Sequence, residues 1–355
     1  MSLTGRPLLF LLVAVAIALP VAVIATWRSR PGWLGRGIRL VAIVLSQAVA
    51  IAAAGVWANT SFGFYTNWAD LLGNPAGALH AQANSLLPQN GAEGSVLTLN
   101  VRGKASRTTG SILVWLPPQY KQRQYAHTRF PVMMMMPGQP GTPEGVFTQF
   151  DFARQATRAI AAGSVKPFVG VFPPIMIDPP RDTECTNVPR GPQAESWLAT
   201  DVHNAVLHRL RVTPDGRQWT AAGWSTGGFC AAKLALRHPA EFGAAVSYGG
   251  YFDSETDHTT GDLFAGSEQL RRDNSPLWLI QRPALSSTHL LIVVGAQDAH
   301  SYQGVFYADS KKMIELTQGY PNVASIVMRT GGHNYTNYRR TVPAALAWAA
   351  RAADL

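Results

Sequence analysis

Residues 218–239, QWTAAGWSTGGFCAAKLALRHP, decide the fold of this chain. The segment opens as an apolar strand, continues as a helix, and carries the G-x-S-x-G pattern, GWSTG, at the junction. In that context the pattern is typical of a sharp turn that exposes its central residue, here Ser225, at the end of a sheet. Gly223 and Gly227 favour such a turn, because a Cβ at either position would crowd it. The sequence therefore predicts that Ser225 is a nucleophile, with a serine that only caps the helix as the alternative.

Strand and helix patterns alternate around this segment, from Ser95 to the end of the chain. The predicted strands are 95–103, 110–117, 131–138, 166–174, 218–225, 242–250, 288–298 and 324–333. The predicted helices are 147–163, 194–210, 226–239, 307–319 and 342–353. A leading hairpin followed by such alternation predicts an α/β fold with a mostly parallel central sheet flanked by helices. Sites in such sheets lie at the carboxyl ends of the strands, where Ser225 falls.

A serine hydroxyl needs a neighbouring base, and the order along an α/β-hydrolase chain is serine, then acid, then histidine. His333 is the predicted base, because it follows the last strand in TGGHNY and precedes the final helix. His300, close to the predicted acid, is the competing histidine. The predicted acid is Asp298, which ends the apolar strand LLIVVGAQD and would orient the imidazole. The alternative acids lie between residues 250 and 289 and are Asp257, Asp262 and Glu268.

Two backbone amides are predicted to form an oxyanion hole. The amide of Thr226 opens the helix after Ser225, where N–H groups are available to an anion. The amide of Gln139 follows the strand MMMM in MPGQPG, the loop that supplies the second donor in this fold. A plain Pro-Gly turn is the alternative interpretation of that loop.

Cys185 and Cys230 are the two cysteines of the sequence. One pair in an exported domain is most often a disulfide, and two free buried thiols are the alternative. Both are expected near the carboxyl ends of the strands, so a bridge would pin the loop DPPRDTECTNVPRG beside Ser225. The pair has no metal-site spacing, and the sequence predicts neither a metal nor a cofactor.

The first 58 residues hold two apolar runs, 7–27 and 38–57, each long enough to span a membrane. Arg28, Arg30 and Arg36 lie between the runs and Arg39 lies at the entry of the second, and the positive-inside rule puts this connecting loop in the cytoplasm. Both ends of the hairpin would then lie outside. A cleaved signal peptide is the competing interpretation, but it leaves the second run unexplained. The predicted organisation is a two-span transmembrane anchor over 1–58, an extracytoplasmic connector over 59–94 and a catalytic domain over 95–355.

The composition agrees with that organisation. Hydrophobic residues make up 47% and charged residues 14% of the 355 residues, and the apolar excess lies in the first 58. The net charge of +9 includes no basic stripe interleaved with aromatic residues, so no nucleic-acid partner is predicted. The predicted partners are the membrane and an acyl-ester substrate, and the oligomeric state stays open.

With these residues in place, the stretch 95–353 resembles the Putative esterase family of α/β-hydrolases. The resemblance rests on GWSTGGFCAAKLALRHP, MMMMPGQPG, GAQD and GGHNY, which occur in the order of the family. The family includes esterase D-type S-formylglutathione hydrolases, feruloyl esterases and the mycolyltransferases of the mycobacterial cell envelope. The resemblance implies a triad and an oxyanion hole on Ser225, Asp298, His333, Gln139 and Thr226. The mycolyltransferases use a glutamate as the acid, whereas GAQD offers an aspartate. The two-span anchor is similar to that of membrane-bound esterases of actinobacterial type.

The expected function is hydrolysis of a carboxylic ester through an acyl-enzyme on Ser225. Attachment to a membrane suggests a lipid, lipid-linked or cell-wall acyl ester as the substrate. An acyltransferase of the mycolyltransferase type would use the same acyl-enzyme and would pass the acyl group to an acceptor alcohol instead of water. A non-catalytic envelope protein on a hydrolase scaffold is the third hypothesis.

Overall fold

The computed structural model describes residues 6–27, 32–62, 91–282, 288–296, 305–329 and 333–355. The chain divides into two compact units, Met1–Gln82 and Ala83–Leu355. The first unit is helical and the second is built on a β-sheet. Most of the predicted connector, 59–94, lies outside the described residues.

The described part of the first unit consists of two helices, α1 (Arg6–Ala25) and α2 (Trp33–Phe62). Both are long and apolar enough to cross a membrane, a test that a signal sequence near an N-terminus would also pass. The Ser46 hydroxyl donates to the Ala16 carbonyl across the pair at 3.0 Å. Large apolar side chains cover much of the remaining surface, such as Phe10, which is 68% exposed. An apolar surface of this extent is typical of a face that meets a membrane or another protein.

The second helix begins earlier than the sequence predicts. The apolar pattern predicts that the second span starts at Ile38, whereas α2 already starts at Trp33. Arg39 therefore lies well inside the helix, where its guanidinium stacks 4.5 Å from the ring centre of Trp27 and donates to the Trp27 carbonyl. Because an arginine can cover an aromatic face while its N–H groups stay paired, it is tolerated near the start of an apolar helix.

The described residues of the second unit form an eight-stranded sheet. Its strands are β1 (Ser95–Arg102), β2 (Thr109–Leu116), β3 (Val132–Met136), β4 (Val169–Phe172), β5 (Trp219–Trp224), β6 (Ala244–Tyr248), β7 (His289–Gly295) and β8 (Val323–Met328). They lie in the order β1-β2-β4-β3-β5-β6-β7-β8. The neighbours β1–β2 and β2–β4 are antiparallel, and all other pairs are parallel. The mostly parallel sheet predicted from the sequence is confirmed.

Helices pack on both faces of this sheet. In the described part of the chain they are α3 (Pro143–Gln149), α4 (Phe152–Ala161), α5, α6 (Thr226–Arg237), α7 (Glu268–Asn274), α8 (Pro276–Leu279), α9 (Val305–Leu316), α10 (Tyr335–Tyr338) and α11 (Val342–Ala353). The helix α5 is α-helical over Ala194–Ser196 and His203–Arg209 and π-helical over Trp197–Val202. The single helix predicted over 147–163 is two helices, because Asp151 adopts a left-handed φ of 54° between them.

The strand β3, with the sequence VMMMM, shows how the sheet separates two layers of core. Met134 and Met136 belong to the apolar cluster under α5 and α6. Met133 and Met135 belong to the cluster on the opposite face, with Phe152 of α4. Side chains alternate along a strand, so a strand covered on both faces needs apolar residues at every position. Burial of each such methionine contributes about 1.5–3 kcal/mol.

The carboxyl ends of the central strands meet at one edge of the sheet. Met136 at the end of β3 pairs with Gly223 of β5, and Trp224 pairs with Tyr248 of β6. Tyr248 in turn pairs with Val293 of β7. The segments that follow these strands therefore start side by side. Several of the predicted site residues lie in these segments.

Candidate active site

Ser225 occupies a tight turn between β5 and α6. Its φ of 55° and ψ of −122° lie outside the regions that residues with a side chain normally adopt. Its N–H donates to the Tyr248 carbonyl at 2.9 Å, and its carbonyl accepts from the N–H groups of Gly228 and Phe229 at 2.8 and 3.1 Å. Strain of this kind costs about 1–3 kcal/mol and persists only where neighbouring contacts hold it. The Ser225 hydroxyl makes no capping hydrogen bond to the helix, unlike a serine that serves as a cap.

The two glycines that flank the turn are closely packed. A Cβ on Gly223 would lie 2.0 Å from the carbonyl oxygen of Gly227. A Cβ on Gly227 would lie 2.4 Å from the carbonyl oxygen of Met136 at the end of β3. Neither distance leaves room for a side chain, so the backbone around Ser225 requires glycine at both positions.

His333 is brought to Ser225 from 108 residues further along the chain. It lies between β8 and α10, and its Nε2 is 3.1 Å from the Ser225 Oγ. Both residues are largely buried, with exposures of 7% for His333 and 8% for Ser225. This distance is within hydrogen-bond range, so the imidazole can accept the proton of the hydroxyl.

Trp224, the second residue of the G-x-S-x-G pattern, supports the imidazole. Its ring stacks on that of His333, with centroids 4.2 Å apart and 28° between the planes. On another side, a Cβ on Gly249 would lie 3.0 Å from the His333 Cε1. The stack and this close approach hold the imidazole ring in place beside Ser225. The pattern sets no residue type at this position, and for that reason the sequence alone did not predict this contact.

The predicted acid, Asp298, and the competing histidine, His300, lie outside the described residues. The strand that leads to them, β7, ends at Gly295, whose N–H donates to the Tyr338 hydroxyl at 3.0 Å. The Tyr338 ring also packs edge-on against His333, with centroids 6.0 Å apart. The end of β7 is therefore close to the imidazole, and Asp298 stays a prediction.

The three alternative acids have partners of their own. The Asp257 carboxylate accepts two backbone N–H groups within its own turn, at 2.7 and 2.9 Å. The Asp262 carboxylate accepts the N–H of the residue two positions later at 2.9 Å. Glu268 pairs with Arg271 and Arg272 at 2.8 and 2.9 Å. Each of these carboxylates stabilises its own loop or helix.

The loop after β3 lies directly against the nucleophile. A Cβ on Gly138 would be 3.0 Å from the Ser225 Cβ. The Gly141 N–H closes the loop by donating to the Gly138 carbonyl at 2.5 Å. Across the described residues, the N–H groups of Gln139 and Thr226 have no protein acceptor. Amides in that state can bind an anion, and the pairing of these two as an oxyanion hole stays a prediction.

Cys185 and Cys230 form a disulfide, with their Cα atoms 5.7 Å apart. Both residues are fully buried. The bond joins the loop that follows β4 to α6, a little more than one helical turn after Ser225. The disulfide expected from the sequence is present, and it holds this loop to α6.

A buried pair of ionisable groups, which the sequence did not reveal, lies next to the disulfide. The Lys233 ammonium on α6 donates to the Glu184 carbonyl at 3.0 Å and to the Thr186 hydroxyl at 2.7 Å. The carboxyl oxygens of Glu184 form hydrogen bonds with the hydroxyls of Tyr251 and Ser254. Burial is the main cause that raises the pKa of Glu184 to about 8 and lowers the pKa of Lys233 to about 8. A single lysine among the apolar residues of GGFCAAKLAL was the only sequence signal of this arrangement.

The Glu184 carboxyl is expected to make the protein less stable as the pH rises. Its pKa in the folded chain, about 8, lies above the ordinary value of 4.5. Between pH 4.5 and about pH 8 the folded chain therefore keeps a proton on Glu184 that the unfolded chain has released. The free energy of unfolding should fall across this window, by at most about 1.4 kcal/mol per pH unit for one group. Urea unfolding of the full-length protein in detergent, followed by circular dichroism at several pH values, measures this slope.

Two glutamine variants separate this effect from the general pH response of the protein. Glu184→Gln is expected to flatten the slope, because the buried group can no longer titrate. Glu315→Gln changes a side chain that is 65% exposed and should leave the slope unchanged. Equal slopes in Glu184→Gln and the wild type would show that Glu184 does not hold the proton.

Residues 106–349 match the family model described as Putative esterase. An uncharacterized protein of Corynebacterium glutamicum is 24% identical over 260 residues, which are 68% of this chain and 57% of that protein. The chain thus spans little more than half the length of this curated relative.

Several solved structures share the fold of the second unit. A ferulic acid esterase has a TM-score of 0.62 at 19% identity, over 74% of this chain and 99% of its own. An S-formylglutathione hydrolase from Agrobacterium tumefaciens has a TM-score of 0.61 at 16% identity, over 74% of this chain and 97% of its own. Mycobacterium tuberculosis MPT51 (FbpC1) has a TM-score of 0.55 at 14% identity, over 73% of this chain and 98% of its own. Similarity at this level of identity shows the fold, and it confirms the predicted α/β-hydrolase fold.

Proposed function

Because the chain belongs to the Putative esterase family, and is therefore a serine esterase or acyltransferase, we propose that Ser225 and His333 cleave a carboxylic ester through an acyl-enzyme. The observation that carries this proposal is the distance of 3.1 Å between the His333 Nε2 and the Ser225 Oγ. A serine hydroxyl becomes a useful nucleophile at neutral pH only when a base takes its proton. His333 is a base within reach of that proton.

The proposed reaction has two halves. In the first, the Ser225 Oγ attacks the acyl carbon while the His333 Nε2 takes the hydroxyl proton. The ester C–O bond then breaks, His333 gives the proton to the departing alcohol, and the acyl group remains on Ser225. In the second half, a water molecule attacks the acyl carbon through its oxygen while His333 takes a proton from that water. The bond to the Ser225 Oγ breaks, the serine recovers its proton, and a carboxylic acid leaves.

Three further residues complete the proposed site. The N–H groups of Gln139 and Thr226 would hold the negative charge that develops on the carbonyl oxygen. The loop that packs on the serine and the available amide at the start of α6 support this assignment. Asp298 would accept the second ring N–H of His333 and stabilise the imidazolium.

We propose that the enzyme is anchored in a membrane with its catalytic unit on the outer side. Two apolar helices whose large side chains are exposed support the anchor. The arginines between the two apolar runs favour a cytoplasmic loop, which would leave the second unit outside. The disulfide between Cys185 and Cys230 is the kind of bond that persists in oxidising compartments.

The membrane anchor also suggests the class of substrate. An enzyme held at a membrane surface meets lipid, lipid-linked and cell-envelope acyl esters, so we propose an ester of this class. Hydrolysis is the first proposal, because the family description is that of an esterase. Transfer to an alcohol is the alternative outcome of the same acyl-enzyme.

A panel of p-nitrophenyl esters of graded acyl length tests the proposal on the full-length protein in detergent. Each ester is supplied with and without glycerol or a sugar, and the acyl products are identified by mass spectrometry. Hydrolysis yields the free acid and p-nitrophenol in equal amounts, with a rate that depends on acyl length. Acyl glycerol or acyl sugar in place of the acid would assign transfer. A wild-type protein that turns over none of the esters would contradict the proposal and favour a non-catalytic envelope protein.

A further inference from the structure

One face of α6 is attached to a single loop segment at three successive positions. Thr226, Cys230 and Lys233 are spaced by four and three residues, so their side chains lie on the same side of the helix. The segment 182–186, here called the strap, is bonded to all three. Because α6 begins at Thr226, one of the three attachments lies at the first residue of the helix.

The three attachments differ in kind. The Thr226 hydroxyl donates to the Asp182 Oδ2 at 3.2 Å. One turn later, Cys230 is bonded to Cys185 of the strap. One turn further, Lys233 donates to a carbonyl and a hydroxyl of the strap at 3.0 and 2.7 Å. The Asp182 contact is the one of the three that lies next to the nucleophile.

Asp182 is held in a fixed orientation by the strap itself. Its Oδ1 accepts from the Glu184 N–H at 2.9 Å, and its own N–H donates to the Thr259 carbonyl at 3.0 Å. Glu184 and Cys185 have φ values of 46° and 52°, so the strap is a compact turn. Asp182 is only 5% exposed, and a buried carboxylate needs hydrogen bonds to its oxygens. One carboxylate oxygen accepts a hydrogen bond from within the strap, and the other accepts a hydrogen bond from α6.

We propose that Asp182 is a positioning residue for the reaction, because by accepting the Thr226 hydroxyl it orients the Thr226 N–H toward the oxygen that becomes negative in the transition state. This inference rests on the proposed function, in which that N–H is one of the oxyanion donors. Asp182 acts through Thr226 and does not touch the substrate. Loss of a whole oxyanion donor lowers kcat by about 10²- to 10³-fold, and loss of its alignment costs less.

Two variants remove the contact from opposite sides. Asp182→Ala is expected to lower kcat by about 10- to 100-fold while KM stays within about twofold, since the aligned amide acts mainly in the transition state. Thr226→Val has nearly the same volume, keeps the backbone N–H and is expected to lower kcat to a similar extent. If Asp182 acts through the Thr226 hydroxyl, the double variant is no slower than the slower single variant.

Asp182→Asn is the conservative control, because it keeps the hydrogen bond to Thr226 but exchanges the donor and the acceptor. The amide oxygen can accept the Glu184 N–H, and the amide N–H can donate to the Thr226 Oγ. It also removes a negative charge close to the proposed oxyanion hole. We expect this variant to keep kcat within about threefold of the wild type.

The variants are compared in full-length protein in detergent by kcat and KM for one p-nitrophenyl ester. Unfolding by urea is measured for each, so that a loss of folded protein is not mistaken for a loss of rate. If Asp182→Ala does not fold, the other two variants still test the inference. Thr226→Val is expected to be slow, and Asp182→Asn is not. A Thr226→Val variant with the wild-type kcat would overturn the inference.

Two other results would also overturn it. One is a set of Asp182→Ala and Thr226→Val effects that multiply in the double variant, because the two residues would then act separately. The other is an Asp182→Asn variant as slow as Asp182→Ala. In both cases the wild type still turns over the ester, so the proposed function stands. A wild type without turnover would overturn the proposed function and this inference together.

Discussion

Replacement of Ser225 by alanine is expected to lower kcat/KM for ester hydrolysis by about 10⁴- to 10⁶-fold. Without the Oγ no acyl-enzyme forms, and the residual rate comes from substrate binding and the oxyanion donors alone. Alanine is no larger than serine and accepts the same backbone, so the turn between β5 and α6 should persist. Initial rates with the best ester of the panel measure the loss.

Ser247→Ala is a matched control for this variant. Ser247 lies on β6, the neighbouring strand, and its buried hydroxyl has no hydrogen-bond partner in the described structure. Its loss should leave kcat/KM close to that of the wild type. His333→Ala is expected to be nearly as slow as Ser225→Ala, and the double variant no slower, because the two side chains act as a unit. A Ser225→Ala loss below about tenfold would contradict the proposed nucleophile.

Lys233→Met is expected to lower the free energy of unfolding by about 1–3 kcal/mol. The ammonium is fully buried on α6, and it donates to the Glu184 carbonyl and the Thr186 hydroxyl. Methionine has a similar unbranched shape, so the change removes the charge and the donors with little loss of volume. The Glu184 carbonyl and the Thr186 hydroxyl then lose their buried donor. Urea unfolding followed by circular dichroism measures the difference.

Lys311→Met is the control for that measurement. Lys311 is 60% exposed and lies 3.7 Å from Glu315, a surface pair whose loss should cost less than about 1 kcal/mol. A Lys233→Met variant as stable as Lys311→Met would show that the buried ammonium does not hold the strap to α6.

The alternation of strands and helices could be predicted because the central strands are short, continuous apolar runs. A run such as VMMMM is stable only in a sheet covered on both faces, which constrains the fold class. Ser225 could be identified from its place between a strand and a helix, and His333 from its place after the last strand. The helix break at Asp151 could not be predicted, because the helical spacing continues across it and a single left-handed residue interrupts the chain.

The contacts around the nucleophile depend on residues far apart in the sequence, which no local pattern reports. The Asp182–Thr226 and Glu184–Lys233 contacts span 44 and 49 residues. Periodicity describes neighbours within one helix or strand, so the strap has no signature beyond its cysteine. Asp298, predicted from its place at the end of an apolar strand, lies outside the described residues and stays a prediction.

The most direct test of the proposed nucleophile is the site of reaction with a fluorophosphonate, which forms a covalent bond only with an activated serine. The full-length protein is treated in detergent, digested, and searched by mass spectrometry for the modified peptide. A single adduct is expected on Ser225, absent from Ser225→Ala and strongly reduced in His333→Ala. An adduct on another serine, or an unmodified Ser225 in protein that still hydrolyses esters, would contradict it.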